Sequence, residues 1–339
     1  EPMLYLFGAT ENTIGYSMDY LNIYLYGSIF VELALGLNFF ITSQGFSTVG
    51  MASVIIGAVV NIVLDPILIF GLNMGVKGAA LATITAQAVS AVWVVRFLCG
   101  RRTKLRIQRR LLRLDGKVLA PVLALGLSPF IMQSTESLVN IAFNSSLKTY
   151  GGDPAVGAMT ICSSIMQVFS LLFQGLSQGA QPIVGYNYGA GQLDRVKRTF
   201  RLLFFSSLCF SCAACAALEL FPGLFVSLFN DKPELVEIAV WALHIYAAGM
   251  FMLGVQFSCQ QTFVALGQTR VSLFLALLRK VILPLILLLP RFLSDQFFAV
   301  FLAEPVADIL AATTTGAIFF WRLPRILEKR RLELEHRPI

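Results

Sequence analysis

Nine long apolar stretches dominate the sequence and decide what kind of fold it can adopt. They cover residues 18–42, 49–71, 77–99, 118–148, 154–188, 200–228, 234–266, 270–290 and 296–321. A helix needs about 20 largely apolar residues to cross the hydrocarbon core of a bilayer, and each stretch is long enough. Composition agrees, because 57% of the residues are hydrophobic and only 13% are charged, which a soluble core cannot absorb. The sequence therefore predicts an all-α polytopic membrane protein.

The basic residues between these stretches predict how the helices are oriented. Lys and Arg cluster in four segments: 100–117, 189–201, 267–271 and 322–339. The loops 150–154 and 230–234 carry almost no positive charge. Because Lys and Arg concentrate on the cytoplasmic side of a membrane, we expect the four basic segments, including the C-terminus, to be cytoplasmic. With nine spans in this order, an even number of spans separates any two of the four basic segments. All four therefore lie on the same side of the membrane.

An internal repeat divides the chain into related halves. Leu21–Gly27 resembles Leu243–Gly249, and the spacing is 249 − 27 = 222 residues. The same shift maps Gly45 onto Gly267, and each of these glycines closes a span. Applied to the span that begins at residue 118, the shift gives 118 − 222 = −104. We therefore expect about one hundred further N-terminal residues, or roughly three spans, in the intact protein.

Twelve spans in two parallel halves are a known transporter plan, and they give the predicted fold. It consists of two pseudo-symmetric six-helix bundles, with about nine of the twelve spans present in this sequence. The predicted divisions are 1–99 for the rest of the N-terminal lobe (spans 4–6), 100–117 for a basic cytoplasmic inter-lobe loop, 118–321 for the C-terminal lobe (spans 7–12) and 322–339 for a cytoplasmic tail.

The segment Gln174–Gly191 combines close-packing glycines with three amide side chains. Gln174, Gln178 and Gln181 fall on one helical face, at i, i+4 and i+7. Placing an amide without a hydrogen-bond partner against lipid costs free energy, so this face should contact other helices or water. Either helix–helix adhesion or a solute-lined wall accounts for it. Pro182 interrupts the hydrogen bonding of this helix and is a predicted hinge.

Two motifs resemble a known family. The first is Gly75–Thr83, which follows Asn61 and Asp65–Pro66, and the second is Gly179–Gly191, which precedes Arg195–Lys197. Together they resemble the multidrug and toxic compound extrusion (MATE) transporters, in particular bacterial small drug exporters, over essentially the whole chain. The resemblance implies two six-helix lobes around a central cleft. It also implies efflux of organic cations driven by inward movement of Na⁺ or H⁺.

Glu136 is the sharpest candidate for chemistry inside a span. It lies on a polar stripe with Gln133, Asn140 and Asn144 at helical spacing. A carboxylate ringed by amides and hydroxyls can hold Na⁺ through oxygen ligands, and burial favours its protonated form. Either exchange would couple ion entry to cargo exit. A carboxyl group that only hydrogen-bonds between helices is the alternative. The family often has an acidic residue on this helix.

The remaining cleft candidates are less specific. Glu32 is either a cation ligand facing the lumen or a buried structural carboxyl group. Many family members use an acidic residue on the span matching 234–266, where this chain has His244 and amides such as Gln256 and Gln260. These two amides are included in the predicted cleft, although the missing acid puts that family site in doubt.

Other charged and proline residues inside spans are interpreted as structural. Arg279 and Lys280 lie near the middle of one span, and Glu304 and Asp308 lie near the middle of the next. The two spans are antiparallel, so a buried ion pair is the simplest explanation, with a role in transport as the alternative. Asp65 beside Pro66 is interpreted as part of a helix kink. Pro284 is the second predicted hinge, beside Pro182.

No enzyme signature is present, since the sequence lacks a Walker loop, an HExxH motif and a catalytic triad spacing. We therefore predict a monomeric antiporter of the bacterial inner membrane that exports cationic drugs by alternating access. It needs no cofactor beyond Na⁺ or H⁺, no fixed metal and no nucleic acid. A flippase of lipid-linked or polysaccharide precursors is the first alternative, although it would need a cavity rich in Arg and Lys. A membrane scaffold that does not transport is the second.

Overall fold

The computed structural model describes residues 4, 11, 14–108, 115–278 and 282–335. Within helices, fifteen side chains lie outside the described part: 121, 124, 125, 128, 129, 132, 133, 135–137, 153, 269 and 282–284. The chain divides into two compact units, Glu1–Leu114 and Asp115–Ile339. All regular secondary structure in the described residues is helical.

The described residues of the first unit include three long helices. These are α1 (Ile14–Ser43), α2 (Ser47–Pro66) and α3 (Gly75–Cys99), and α2 continues through a π-helical turn at Ile67–Gly71. The π turn follows Pro66 directly, at the kink that the sequence predicts. A proline lacks the N–H that a regular helix needs, which explains the change in hydrogen bonding.

Small residues allow these three helices to approach closely. A Cβ atom on Gly27 of α1 would collide with Ile84 of α3, and one on Gly57 of α2 would collide with the hydroxyl of Ser90. Without a hydrophobic driving force inside lipid, such contacts supply much of the attraction between helices.

Hydrogen bonds between side chains and backbone join the same helices. Asn38 of α1 donates from Nδ2 to the carbonyl of Gly50 at 3.1 Å and to the hydroxyl of Ser53 at 3.2 Å. Ser90 of α3 donates to the carbonyl of Ser53 at 2.8 Å. The three spans are therefore fixed in register by polar contacts within an otherwise apolar unit.

The described residues of the second unit form eight helical segments, the first of which is broken into two helices. They are α4 (Gly116–Gly189), α5 (Leu193–Leu220), α6 (Pro222–Ser227), α7 (Pro233–Tyr246), α8 (Leu253–Ala265), α9 (Thr269–Leu278), α10 (Ile282–Phe292) and α11 (Gln296–Glu335). A 3₁₀ segment at Ala247–Met252 joins α7 to α8. The packed interior is rich in Phe, including Phe143, Phe173 and Phe301, each 1% exposed or less.

Helix α4 is two helices that meet at Gly152. This residue has φ 69° and ψ −163°, a backbone conformation open to glycine and outside the helical region. The break lies between the predicted spans 118–148 and 154–188. The two halves of α4 therefore correspond to two separate predicted spans.

Two helix ends differ from the predicted spans. Helix α5 ends at Leu220, eight residues before the predicted boundary at 228, because Pro222 starts the short helix α6. Proline suits the first turn of a helix, where its missing N–H has no intrahelical partner. Helix α11 continues to Glu335, well beyond the predicted boundary at 321.

The 222-residue repeat is visible in how two helices end. Gly45 after α1 has φ 89°, and Gly267 after α8 has φ 70°. Gly45 donates to the carbonyl of Thr42, and Gly267 donates to the carbonyl of Val264, each at 3.0 Å. Both acceptors lie three residues before their glycine. The two helix ends thus share one left-handed capping arrangement, as the repeat predicts.

Seven helical stretches in the described residues are long and apolar enough to cross a membrane. They are Ile14–Ser43, Ser47–Gly71, Gly75–Cys99, Pro154–Gly189, Leu193–Leu220, Pro233–Ala265 and Gln296–Glu335. Each corresponds to one of the nine predicted spans. The two other predicted spans, 118–148 and 270–290, include positions outside the described part.

Candidate functional site

A cavity lies among the three described helices of the first unit. Its volume is about 190 Å³. Small and apolar residues form most of its wall, and its polar lining consists of Ser53, Asn61, Thr83, Gln87 and Ser90. None of the cavity-lining residues is charged. The cavity therefore offers amide and hydroxyl groups in a mostly apolar setting.

Two buried polar atoms on α2 mark this region. The Nδ2 atom of Asn61 and the Oδ1 atom of Asp65 are buried, and neither has a hydrogen-bond partner in the described structure. An unsatisfied buried polar group costs about 1–3 kcal/mol. Asn61 lines the cavity, and Asp65 lies one helical turn further along the same helix. Such groups are retained where a ligand, an ion or water completes them.

Two pairs of polar residues in the sequence mark this cavity, although the sequence alone does not predict that they meet. Asn61 and Asp65 are spaced i, i+4 on one span, and Thr83 and Gln87 have the same spacing on the next. Each pair therefore shares a helical face. From the sequence, Asp65 is predicted only as part of the kink at Pro66, because whether the two pairs approach each other depends on helix packing.

The second unit contains a buried amide pair. Gln256 is 4% exposed and Gln260 is 8% exposed. The Nε2 atom of Gln256 donates to the Oε1 atom of Gln260 at 3.0 Å. The Oε1 atom of Gln256 is buried without a hydrogen-bond partner in the described part of the chain. Both amides thus lie inside this unit.

Buried acidic residues lie on α11 of the same unit. Glu304 is 8% exposed and Asp308 is 3% exposed. Tyr246 of α7 is buried in one cluster with Ala303 and Ala307, which flank these acidic residues on α11. The predicted basic partners, Arg279 and Lys280, lie outside the described residues, so the ion pair remains a prediction.

The other predicted cleft residues lie nearer the surface of their own units. On α4, Asn140, Asn144 and Gln178 are exposed, and Gln174 and Gln181 are half-buried. Glu32 on α1 is exposed, so it is not a buried structural carboxyl group within the first unit.

Other predicted residues lie outside the described side-chain contacts. The side chains of Glu136, Gln133 and Pro284 lie outside the described part of the chain. Pro182 lies in the second half of α4, and the only non-helical backbone angles within α4 are those of Gly152. The proposed hinge at Pro182 therefore remains a prediction. In the described residues, no group of three or more His, Cys, Asp or Glu side chains is arranged to hold a metal ion.

Comparisons with known proteins identify the family. The MatE family profile matches residues 129–288. Multidrug export protein MepA of Staphylococcus haemolyticus is 27% identical over 307 residues, covering 89% of this chain and 67% of the relative. MepA of Staphylococcus aureus is 25% identical over 309 residues, covering 90% and 68%.

Solved structures extend the similarity to the fold. The MATE multidrug transporter DinF-BH, solved in complex with rhodamine 6G, is 39% identical, with a TM-score of 0.85. The match covers 94% of this chain and 72% of DinF-BH. The chain belongs to the MATE family. An outward-facing MATE transporter of the MOP superfamily, 21% identical with a TM-score of 0.88, has the same fold over 94% of the chain.

Family membership confirms the predicted class of protein. The chain is a multi-pass membrane transporter of bacterial MATE type with a MOP-type fold, and it is not an enzyme. It spans about two thirds of the length of its MepA relatives.

Proposed function

We propose that this MATE protein is a secondary active multidrug exporter of the bacterial inner membrane. It exchanges organic cations for Na⁺ or H⁺ by alternating access, with its C-terminus in the cytoplasm and a monomer as the working unit. The names of its relatives support the cargo class, since MepA is a multidrug export protein and DinF-BH was solved with rhodamine 6G. The absence of a nucleotide-binding motif from the sequence supports an ion gradient as the energy source.

The observation that carries this proposal is the cavity that Asn61 lines, one helical turn from Asp65 on the same helix. A wall of amides, hydroxyls and small apolar residues suits a cation that is only partly dehydrated, because oxygen ligands replace some of its water. Flippase cargo carries phosphate, which is recognised by Arg and Lys, and none lines this cavity. The lining therefore favours a cationic cargo or coupling ion over a lipid-linked precursor.

Ion exchange in the proposed mechanism requires a carboxyl group that changes its charge or its bound ion. Asp65 provides one in the first unit. In the second unit we propose Glu136, on the polar stripe with Gln133, Asn140 and Asn144, supported by the buried amides Gln256 and Gln260. A carboxylate that takes up H⁺ or Na⁺ loses its attraction for a cationic cargo, which is then released. The cycle is complete when the carboxyl group releases the H⁺ or Na⁺ and becomes a free carboxylate again.

Transport by the full-length protein tests this function. The purified exporter is placed in sealed vesicles, and rhodamine 6G fluorescence is followed while a pH gradient or a Na⁺ gradient is imposed alone. We expect the dye to move against its own gradient with one of the two ions, and to stop when that gradient is collapsed. Transport that is unaffected by both the pH gradient and the Na⁺ gradient would refute the antiport mechanism.

Variants then assign the carboxyl groups. We expect Asp65→Asn and Glu136→Gln each to lower ion-driven dye transport at least about tenfold, because a neutral amide cannot exchange a proton. Asp231→Asn, an exposed loop residue, is the matched control and should retain parental transport. If a variant transports at the parental rate, the substituted carboxyl group is not required for coupling.

The cavity itself is tested by filling it. Ala58 lines the cavity, and its neighbour Val59 is 54% exposed and does not. We expect Ala58→Leu to lower rhodamine 6G transport severalfold, because the added side chain occupies the cavity, and Val59→Leu to have little effect. Equal transport by both variants would exclude the cavity from the cargo and ion path.

A further inference from the structure

Helix α11 is too long to lie entirely inside a membrane. Its 40 residues, Gln296–Glu335, span about 60 Å at 1.5 Å per residue, whereas the hydrocarbon core is about 30 Å thick. The described apolar part ends with Phe319, Phe320 and Trp321, and the charged part begins at Arg322. The last 14 residues of the helix, Arg322–Glu335, are called here the terminal extension.

One face of the terminal extension is fastened to the turn between α4 and α5. The guanidinium of Arg330 donates to the carbonyl of Gly189 at 3.1 Å and pairs with Glu333 at 3.2 Å. The same guanidinium lies 5.5 Å from the centroid of the Tyr188 ring. Leu334 covers Gly191 so closely that a Cβ atom there would lie 2.6 Å from its Cδ1 atom.

Apolar packing continues this attachment toward the membrane. Leu327 is 4% exposed and packs in a cluster with Val184 of α4, Val196 of α5 and Leu266. Leu323 and Ile326 pack against the same cluster. The inner face is therefore fixed against three other segments of the second unit, and the helix is not free to rotate about its axis.

The opposite face is basic and exposed. Trp321, Arg322, Arg325 and Lys329 are exposed and lie on one side of the helix. The guanidinium of Arg325 stacks over the Trp321 ring, 3.9 Å from its centroid. This contact holds a cation beside an aromatic ring that is 57% exposed, at the end of a membrane span. Tryptophan is enriched at this level because its ring suits the boundary between hydrocarbon and water.

The pairing of charges distinguishes the two faces. Arg330 and Arg331 have carboxylate partners in Glu333 and Glu335. Arg322, Arg325 and Lys329 have no ion-pair partner among the described residues, and Glu328 is the one acidic residue within 322–329. Basic residues three to four positions apart on one helix face repel each other unless an anion lies between them.

We propose that Arg322, Arg325 and Lys329 form a binding surface for the phosphates of anionic phospholipid headgroups, with Trp321 anchoring it at the membrane surface. Three features select this partner: the basic charge, the position at the membrane boundary beside Phe320, and a helix whose orientation is fixed by its inner face. Bound lipid neutralises the repulsion on the outer face. It thereby stabilises the attachment of Arg330 to the α4–α5 turn.

Brominated lipids test this surface in the full-length protein, because bromine quenches tryptophan fluorescence on contact. Trp93→Phe and Trp241→Phe leave Trp321 as the reporter among the three tryptophans of this sequence. The protein is reconstituted in phosphatidylcholine with a fixed fraction of phosphatidylglycerol. In one sample the phosphatidylcholine is brominated, and in the other the phosphatidylglycerol is brominated. Each basic residue strengthens association with anionic lipid by about fivefold when its charge is not screened by salt. We therefore expect brominated phosphatidylglycerol to quench Trp321 at least about threefold more strongly per molecule than brominated phosphatidylcholine.

A matched pair of triple variants separates this surface from general basicity. Arg322→Gln/Arg325→Gln/Lys329→Gln should remove the preference for phosphatidylglycerol. Arg101→Gln/Arg102→Gln/Lys104→Gln changes three exposed basic residues in the first unit and should retain it. Equal quenching by both lipids in the reporter background, or no quenching by either, would overturn the proposal. So would an unchanged preference in the first triple variant.

Two measurements need no basic-residue variant, so they decide the question even if the variant fails to fold. In the reporter background, about 0.5 M salt should reduce the preference strongly, because such exposed charges are screened over a few ångströms. A preference that resists salt would overturn an electrostatic site. Inorganic phosphate at constant ionic strength should have no effect beyond that of chloride. Selective loss of the preference in phosphate would assign the surface to free phosphate instead of lipid.

Discussion

Two helices of this MATE protein, one in each unit, differ in how their apolar character relates to their burial. Helix α2 with its π turn is the most apolar of the seven described spans, yet only 6% of its most apolar window is buried by the described helices. Helix α11 is the least apolar, and 56% of its window is buried. In a soluble protein the most apolar element would be the most buried. In a membrane the most apolar surface can remain in lipid, and polar residues need protein around them.

Contacts between helices include both side-chain hydrogen bonds and close backbone approaches. In the first unit, side chains such as Asn38 and Ser90 reach across to a neighbouring backbone. In the second unit, backbones themselves approach at glycine: a Cβ atom on Gly254 would lie 2.5 Å from the carbonyl oxygen of Ser207. Side chains can rotate to relieve a clash, whereas packed backbones must move as whole helices. We therefore expect Gly254 to be less tolerant of added volume than Gly57, whose nearest neighbour is the side chain of Ser90.

The largest expected effect is at the backbone contact. Gly254→Ala should lower the free energy of unfolding by about 3 kcal/mol, because the new methyl group meets both the carbonyl oxygen and carbon of Ser207. Gly179→Ala is the control, since no other atom lies within 4 Å of its ideal Cβ position. Thermal unfolding of the full-length protein in detergent measures both. Similar stabilities would show that the second unit adapts to added volume.

A smaller effect is expected at Gly57 in the first unit. Gly57→Ala should cost about 2 kcal/mol, because the methyl group displaces the hydroxyl of Ser90 and breaks its bond to the carbonyl of Ser53. Ser90→Ala should largely rescue it, since the other nearby atoms lie at 3.6 Å. A double-mutant cycle from denaturation curves gives the coupling energy. Additive losses would show that backbone, and not the Ser90 side chain, limits this contact.

Arg330 and Arg331 allow a comparison within one helix. Arg330→Ala should cost about 1.5 kcal/mol, because its side chain is 17% exposed and bonds to Gly189 and Glu333. Arg331→Ala should cost about 0.5 kcal/mol or less, since Arg331 and its partner Glu335 both have exposed side chains. Limited proteolysis of the terminal extension should follow the same order. Equal losses would mean that the attachment to the α4–α5 turn contributes nothing beyond a surface ion pair.

The smallest effect is expected at Asn38. Asn38→Ala should cost about 0.6 kcal/mol, typical of a side-chain hydrogen bond within a membrane. Two bonds from Nδ2 are lost, but the buried Oδ1 atom has no partner among the described groups, so its removal offsets part of the loss. Asn38→Asp should be worse, because it replaces the donor by a second acceptor. An Asp variant as stable as the Ala variant would contradict the importance of donation by Nδ2.

Local sequence was sufficient for features that depend on one helix or one turn. The spans follow from runs of apolar residues, and the left-handed caps at Gly45 and Gly267 follow from the repeat. The break at Gly152 falls between two predicted spans. The end of α5 was predicted too late because hydropathy continues through Pro222, whereas helical hydrogen bonding does not.

Features that depend on two or more helices were only partly accessible. Asn61 and Thr83 lie on different helices, and their shared cavity depends on how closely α2 and α3 pack. The contact of Arg330 with Gly189 joins positions 141 residues apart. In the sequence, the tail after residue 321 was simply a basic segment. Its division into a fastened face and an exposed face required the packing partners.

The sequence by itself determined that this chain is helical, crosses a membrane repeatedly and carries a repeat of 222 residues. Those properties follow from the energy of moving each segment from water into lipid, which is a sum over neighbouring residues. Only the tertiary structure decided which polar residues enclose a cavity, which are paired and which face outward. That choice depends on the distances between helices far apart in the chain, because whether a polar group is satisfied depends on its neighbours in space.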